Sequence, residues 1–326
     1  MFYAIKTFLS EVTVALLDEE KRPFTFYFIR TDDVNLGDIY FARITQKMRE
    51  QKGFFAEIGR GRTVYVSSKQ PLEIGQKLPL IISKEARMEK LPEAKRYTRG
   101  IVLPHNLGLI QKGDILAGFT QVDGFIQIPW EDEFDDFIAD AADMYVPFAD
   151  GARLIIEATH AFHTIDVDSG ASTKPFAELN LLAARQIASE IIKRNISGNI
   201  LIDFIGEKRK NDVAEWKNIM SRELCKSPVP YTLYNVTAMG NVELRRTRLR
   251  TPLYDAMHCL SFKAFAMFKE VLANPEHVKD VKAALSLYAH LSSLLAEQWK
   301  DVQKRAGTSI SLIAATNVTD YQVEYK

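Results

Sequence analysis

Two carboxylates could do chemistry together. Asp166, in Thr164-Ile165-Asp166-Val167-Asp168-Ser169-Gly170, and Asp203, in Ile200-Leu201-Ile202-Asp203-Phe204-Ile205, lie 37 positions apart, each in or at the end of a β-like run. The stretch between them, Phe176 to Asn195, reads as one helix, and a strand, helix, strand order lets both aspartates sit on neighbouring strands of one sheet. Two hard oxygen ligands brought side by side are how a protein holds Mg²⁺. Asp203 also interrupts an apolar run, where a buried carboxylate is costly unless it is bonded, paired or metal-bound. From spacing alone, a strand-end aspartate capping a loop explains the pattern equally well. His160 and His163 are close in sequence, but metal-hydroxide chemistry needs neither, and ordinary polar placement on a hairpin is the expectation for both.

A second set of residues suits a polyanion. Lys84 to Arg99 carries six basic residues (Lys84, Arg87, Lys90, Lys95, Arg96 and Arg99), and Arg245, Arg246, Arg248 and Arg250 crowd into six positions. The 42 basic and 42 acidic residues of the 326-residue chain cancel, so attraction by net charge is excluded and any polyanion must be held by such local patches. The arginine cluster reads either as phosphate contacts or as a solvated strand or loop that pairs with the acidic run Glu131 to Asp143. Phe54, Phe55 and Tyr65 read equally as base-stacking aromatics or as core.

The elements that must position these groups follow from periodicity and turn residues. Thr13 to Leu17 and Thr25 to Ile29 flank the polar turn Asp18 to Arg22 as a hairpin. Short runs at Asp38 to Ile44, Gly53 to Ile58, Thr63 to Val66 and Leu78 to Ile82, with glycine corners, suggest a small OB-type barrel. Residues 96 to 130 look strand-rich, with turns at Lys112-Gly113-Asp114 and Val122-Asp123-Gly124. Ala152 to Ala158 and Ala161 to Val167 pair as a hairpin leading into Asp166. Helices are expected at 212 to 225, Tyr254 to Ala273 and Val278 to Arg305, and strands at Tyr231 to Thr237, Ser309 to Ala314 and Tyr321 to Glu324.

A hydrophobic share of 47% supports a sizeable core and two or more domains. The first residues alternate as a strand and do not read as a secretory signal, and no run of about eighteen apolar residues is present to span a bilayer. Cys225 and Cys259, 34 positions apart with no Cys-x-x-Cys, fit a reducing cytoplasm and argue against a structural zinc site within one chain.

Four blocks, in order, resemble the ribonuclease E/G family of bacterial endoribonucleases: Gly37-Asp38-Ile39-Tyr40 through Gly53-Phe54-Phe55-Ala56-Glu57-Ile58-Gly59; Leu154-Ile155-Ile156-Glu157-Ala158-Thr159 into Ile165-Asp166-Val167-Asp168-Ser169-Gly170; Asn180-Leu181-Leu182-Ala183-Ala184 with Gly198 to Ile205; and Gly240 to Leu253. The resemblance implies that Asp166 and Asp203 hold Mg²⁺, and that Asp168, where the best-known members have Asn, helps orient the site and the scissile phosphate. It further implies that Phe55 and Tyr65 stack bases and that Lys90 contacts RNA from the barrel.

The fold it implies is an α/β multidomain chain. An OB-fold barrel (36–95) is inserted in a reduced RNase H-like part (1–35 with 96–150), followed by a DNase I-like α/β catalytic domain (151–256) and a small α/β C-terminal domain (257–326). The activity implied is Mg²⁺-dependent cleavage of single-stranded RNA to 5′-phosphate and 3′-hydroxyl products, in rRNA or mRNA processing or decay. A non-catalytic RNA-binding or ribosome-assembly factor that keeps the fold is the alternative, and a DNA-acting nuclease a weaker one. Two features depart from the family. No room exists between about Thr98 and the acidic run for the insertion that senses a 5′-monophosphate, and the zinc-link cysteines expected soon after Pro252-Leu253 are missing. A short-form, cytoplasmic member without membrane attachment or structural zinc is therefore expected, with a homodimer left open.

Overall fold

A computed structural model describes the chain except for residues 32, 49–52, 69, 88–89, 119–124 and 207–208. The turn expected at Val122-Asp123-Gly124 lies outside the described residues. The chain forms two compact units, one of Met1–Lys6, Thr13–Ile29 and Asp33–Leu253, the other of Thr7–Val12, Arg30–Asp32 and Tyr254–Lys326. No described helix is long and apolar enough to cross a membrane.

The chain opens with β1 (Phe2–Phe8), β2 (Glu11–Leu17) and β3 (Pro23–Arg30), which lie in the first unit except for Thr7, Phe8, Glu11, Val12 and Arg30. The turn between β2 and β3 closes on Asp18, whose carboxylate accepts from the amides of Glu20 and Arg22 at 3.0 and 2.9 Å. The barrel follows: β4 (Ile39–Lys47), β5 (Gly53–Glu57), β6 (Thr63–Ser67), β7 (Lys77–Lys84) and β8 (Glu93–Arg96). Strand β4 pairs with β7 through Ile39–Arg43 and with β5 through Arg43–Lys47, so it closes a five-stranded ring in the order β4-β5-β6-β8-β7. The ring, with β6 and β8 parallel, is consistent with an OB-like fold. Alternation sends Phe54, Ala56, Val64, Val66, Leu80 and Ile82 inward, which makes Phe54 core. The segment from 96 to 130 holds fewer strands than its composition suggested, only β9 (Gly108–Gln111) and β10 (Ile126–Ile128) among the described residues. Strand β10 runs parallel to β1, giving a sheet in the order β10-β1-β2-β3.

The acidic run forms helix α1 (Glu133–Asp140), with Asp135 paired to Lys6 at 2.6 Å. Then come β11 (Tyr145–Ala149), β12 (Ala152–Ala158), β13 (Phe162–Asp168), α2 (Phe176–Lys193), β14 (Gly198–Asp203), α3 (Lys210–Leu224), β15 (Tyr231–Val236) and β16 (Val242–Arg246). The six strands form one sheet in the order β11-β12-β13-β14-β16-β15, with β13 and β14 parallel and every other pair antiparallel. Leu179, Ala183, Ile187 and Ile191 make the apolar stripe of α2, and Val213, Trp216, Met220 and Leu224 that of α3. Both stripes share a core with Ile165, Val167, Ile200, Ile202, Val242 and Leu244, which are the alternate residues of β13, β14 and β16. The residues between them belong to the other face of the sheet.

The barrel exit and the end of this sheet are locked by a buried ion pair. Arg250 Nη1 donates to Glu85 Oε1 at 3.1 Å, with both side chains below one-tenth exposed. Arg250 Nε donates to the Ala117 carbonyl and Nη2 to those of Ile115 and Ala117, and the cation lies 4.1 Å from the centre of the Tyr27 ring. Glu85 in turn accepts from the amides of Leu36 and Thr251 at 3.1 and 2.9 Å. All three nitrogens of Arg250 and both oxygens of Glu85 are thereby bonded, the condition under which a buried charge pair is tolerated.

In the second unit, α4 (Leu253–His258), which begins on the last residue of the first unit, is followed by α5 (Leu260–Ala273), separated at Cys259, whose Sγ accepts from the Phe262 amide as an N-cap. The single helix expected over Tyr254 to Ala273 is therefore two. The helix expected from Val278 to Arg305 is also wrong at its start: Val278–Ala284 is β17, followed by α6 (Leu285–Ser293) and α7 (Ala296–Ala306). Strand β17 is central, between β18 (Ser311–Ala315) and β19 (Tyr321–Tyr325), and Val278, Val281 and Ala283 join Phe265, Phe268 and Trp299 in the core. Tertiary pairing on both edges outweighs the helix propensity of Lys279, Lys282 and the alanines.

Arg250→Ala should lower the stability of the first unit by about 3–5 kcal/mol in urea unfolding, because it leaves Glu85 buried without its partner. Replacing both residues together with apolar ones should recover much of that loss.

Candidate functional site

Parallel pairing of β13 with β14 puts Asp166 directly opposite Asp203. Neighbouring strands are about 4.8 Å apart, so the two carboxylates share one spot. Asp203 ends β14 and Asp166 lies two residues before the end of β13, both on the face away from α2 and α3. Asp203 is accordingly exposed, which corrects the expectation of a buried acid. Ile200 and Ile202 carry the burial, while the half-buried Leu201 on the other face makes the run look uniformly apolar in sequence. Partial burial pushes the Asp166 carboxyl above the usual range, with Asp203 and then Asp168 adding to the effect. The site thus holds excess negative charge where a cation would relieve it.

Asp168 lies two residues along β13, on the same face as Asp166. Its Oδ2 accepts from Arg153 Nε at 2.9 Å across the β12–β13 pair, and its Oδ1 accepts from the Gly170 amide at 2.9 Å. The Gly170 amide bond, followed by Arg153, holds the Asp168 carboxyl below the usual range. Gly170 has φ +49°, and a Cβ there would lie 2.3 Å from the Gly151 carbonyl oxygen, so only glycine fits this turn. Among the described residues no group of three or more His, Cys, Asp or Glu side chains is gathered as metal ligands. Asp166 and Asp203 offer two hard oxygen donors, a set that fits an ion that keeps most of its waters, as Mg²⁺ does.

Asn180, on α2, fixes the chain just past Asp203. Its Nδ2 donates to the Ile205 carbonyl at 2.9 Å and its Oδ1 accepts from the Ile205 amide at 3.1 Å, with the side chain buried. This positioning residue was missed as such. The signal was a lone amide between Leu179 and Ala183 on an otherwise apolar stripe. His163 corrects the expectation of ordinary polar placement: it is 2% exposed on the core side of β13, and burial, with Arg87 nearby, lowers its pKa to about 4. His160 is exposed.

Phe55 and Tyr65 are a cross-strand pair on the outside of the barrel, rings 6.2 Å apart and at 70°. Tyr65 lies over Gly53, where a Cβ would come within 2.3 Å of the tyrosine oxygen. Lys90 is exposed. Of the arginines, Arg245 is exposed on the same sheet face as Asp203, pairing in register with Asn199. Arg246 does not fit the expected RNA-contacting row. It is 2% exposed and turns inward, donating to Asn195 Oδ1, the Ile196 carbonyl and Ser227 Oγ at 3.0–3.1 Å. Strand alternation puts the adjacent Arg245 and Arg246 on opposite faces of the sheet, yet both, with Arg248, line one concavity by Gly198.

Residues 126–249 match the Ribonuclease E/G family. The chain is 41% identical over 130 residues to the chloroplastic Ribonuclease E/G-like protein of Arabidopsis thaliana, covering 36% of this chain and 13% of that one. It is 33% identical over 129 residues to Ribonuclease G of Haemophilus influenzae (36% and 26%), and 30% over 124 residues to Ribonuclease G of Escherichia coli K12 (36% and 25%). The matched stretch therefore spans about a quarter or less of these relatives.

Asn180→Leu should destabilise the first unit by about 1–3 kcal/mol in urea unfolding, since both polar groups of Ile205 lose their partner. Residues 126–249, which carry both aspartates, are thus the part of the chain that is similar to the ribonuclease E/G family.

Proposed function

We propose that this protein is a Mg²⁺-dependent endoribonuclease that cuts single-stranded RNA to 5′-phosphate and 3′-hydroxyl ends, in RNA processing or decay. The observation that carries the reading is the register of Asp166 against Asp203 on the open face of the sheet, inside the stretch that matches the family. In this reading the sheet is the DNase I-like catalytic part and the barrel is its RNA-binding partner.

Asp166 and Asp203 would hold the ion, which when bound supplies positive charge against the phosphate and acidifies water. Asp168, tied to Arg153 and Gly170, keeps the end of β13 in place beside them. Asn180 does the same for the end of β14. Phe55 and Tyr65 offer ring faces on which bases stack without sequence preference, and Lys90, Arg245 and Arg248 meet phosphates.

Asp166→Asn and Asp203→Asn should each abolish Mg²⁺-dependent cleavage of labelled single-stranded RNA. The melting temperature of Asp166→Asn measured without divalent ion should not fall, because the amide keeps an oxygen to accept from the Val167 amide while the repulsion by Asp203 and Asp168 is relieved. Substantial cleavage by both variants would overturn the assignment. RNA binding with no cleavage by the wild-type chain would instead establish the non-catalytic alternative. Phe55→Ala should weaken RNA binding by about 1–3 kcal/mol in a fluorescence titration while leaving the fold intact.

A further inference from the structure

The open face of the six-stranded sheet has two sides of different character. By Gly198 it is basic, where Lys90, Arg245 and Arg248 line the concavity. On the other side of the aspartates lies β11, an edge strand of the sheet. Register draws a row across four strands from that edge: Tyr145 stands opposite Ile155, Ile155 opposite Asp166, and Asp166 opposite Asp203. Tyr145 is thus two strand spacings, roughly 10 Å, from Asp166 along the row.

The core does not use this corner. Val146, Leu154 and Ile156 turn inward and pack with the helix residues, and alternation leaves Tyr145, Arg153 and Ile155 on the side of the aspartates. Tyr145 is 47% exposed. Its ring is nevertheless held. Arg153 Nε donates to Asp168 Oδ2 at 2.9 Å, and the Arg153 guanidinium lies 5.1 Å from the centre of the Tyr145 ring. One cation therefore joins the ring on β11 to the strand that carries Asp166, and Ile155 continues the apolar surface up to the carboxylate. A fixed, half-exposed aromatic ring braced by a guanidinium suits a flat group with a π-face, and a nucleobase is such a group.

We propose that Tyr145 stacks the base of a nucleotide next to the scissile phosphate, with Arg153 as the positioning residue that holds the ring. The proposal rests on the reaction proposed for the aspartates, and it adds a substrate contact at the reacting end, apart from the barrel aromatics and the basic concavity. Every base has a π-face, so the contact selects which bond lies at the aspartates rather than which sequence is bound.

The test is single-turnover cleavage, with Mg²⁺, of a labelled single-stranded RNA with one mapped cut, and of copies in which each nucleotide near the cut is made abasic in turn. Tyr145→Ala should slow cleavage about tenfold on the intact RNA, and Tyr145→Phe should retain the rate. At one flanking position the abasic RNA should be cut equally slowly by wild type and Tyr145→Ala, because the base that stacks is already gone. Arg153→Ala should show the same dependence on that base, which a purely structural role would not produce. An unchanged rate in a Tyr145→Ala chain that melts like the wild type, or a loss that persists at every abasic position, would overturn the proposal. A second measurement needs no cutting: photocrosslinking in EDTA of an oligouridylate carrying 5-iodouridine, with the adducts mapped by mass spectrometry. An adduct on Tyr145 from a chain that never cuts would overturn the proposed reaction and support the stacking contact. Adducts on Phe55 or Tyr65 with none on Tyr145 would overturn the contact.

Discussion

Much of the first unit depends on the buried contact between Glu85 and Arg250. It joins the segment leaving the barrel to the segment leaving the six-stranded sheet, and it draws in Tyr27, Leu36, Ile115, Ala117 and Thr251. A carboxylate and a guanidinium removed from water together are stable only with full hydrogen bonding, so the geometry on both sides is fixed closely. The barrel aromatics, the basic cavity and the open sheet face are parts of the unit that this contact organises. Asn195 adds to the same join, accepting from Arg246 while donating at 3.3 Å to the carbonyls of Arg250 and Thr251.

The open sheet face carries a charge gradient along its strands. At one end Asp166 and Asp203 face each other, with Asp168 and Glu157 adding negative charge felt at Asp166. At the other end Arg245 stands beside Asn199, near the basic cavity. In the proposed reading, a strand of RNA laid along this face has its phosphates held by cations at one end and meets the carboxylate pair at the other. Such an arrangement separates binding from chemistry, so that affinity can be tuned without altering the reacting groups.

The carboxylate pair was legible because it is local. Two strands flanking one amphipathic helix almost dictate parallel neighbours, and a residue near the end of each then falls in register. The barrel was legible for the same reason, its short alternating runs being separated by glycine turns, although charged β8 escaped notice. What sequence could not supply was the side on which each basic residue falls. Arg246 looked like Arg245 until the β14–β16 pairing fixed which of them faces the core. The meeting of Lys90 with Arg245 is a tertiary fact with no local signal. The strand at Val278 was hidden because lysines and alanines favour helix locally, and only pairing on both sides makes it a strand.

The proposed chemistry requires that the Asp166 and Asp203 carboxylates form one divalent-ion site. Paramagnetic broadening by Mn²⁺ at substoichiometric concentration, read on backbone amide signals, tests it without any substrate. The broadening should centre on the ends of β13 and β14, be displaced by excess Mg²⁺, and vanish in Asp203→Asn. Broadening centred on the acidic helix Glu133–Asp140, or unaffected by Asp203→Asn, would contradict it.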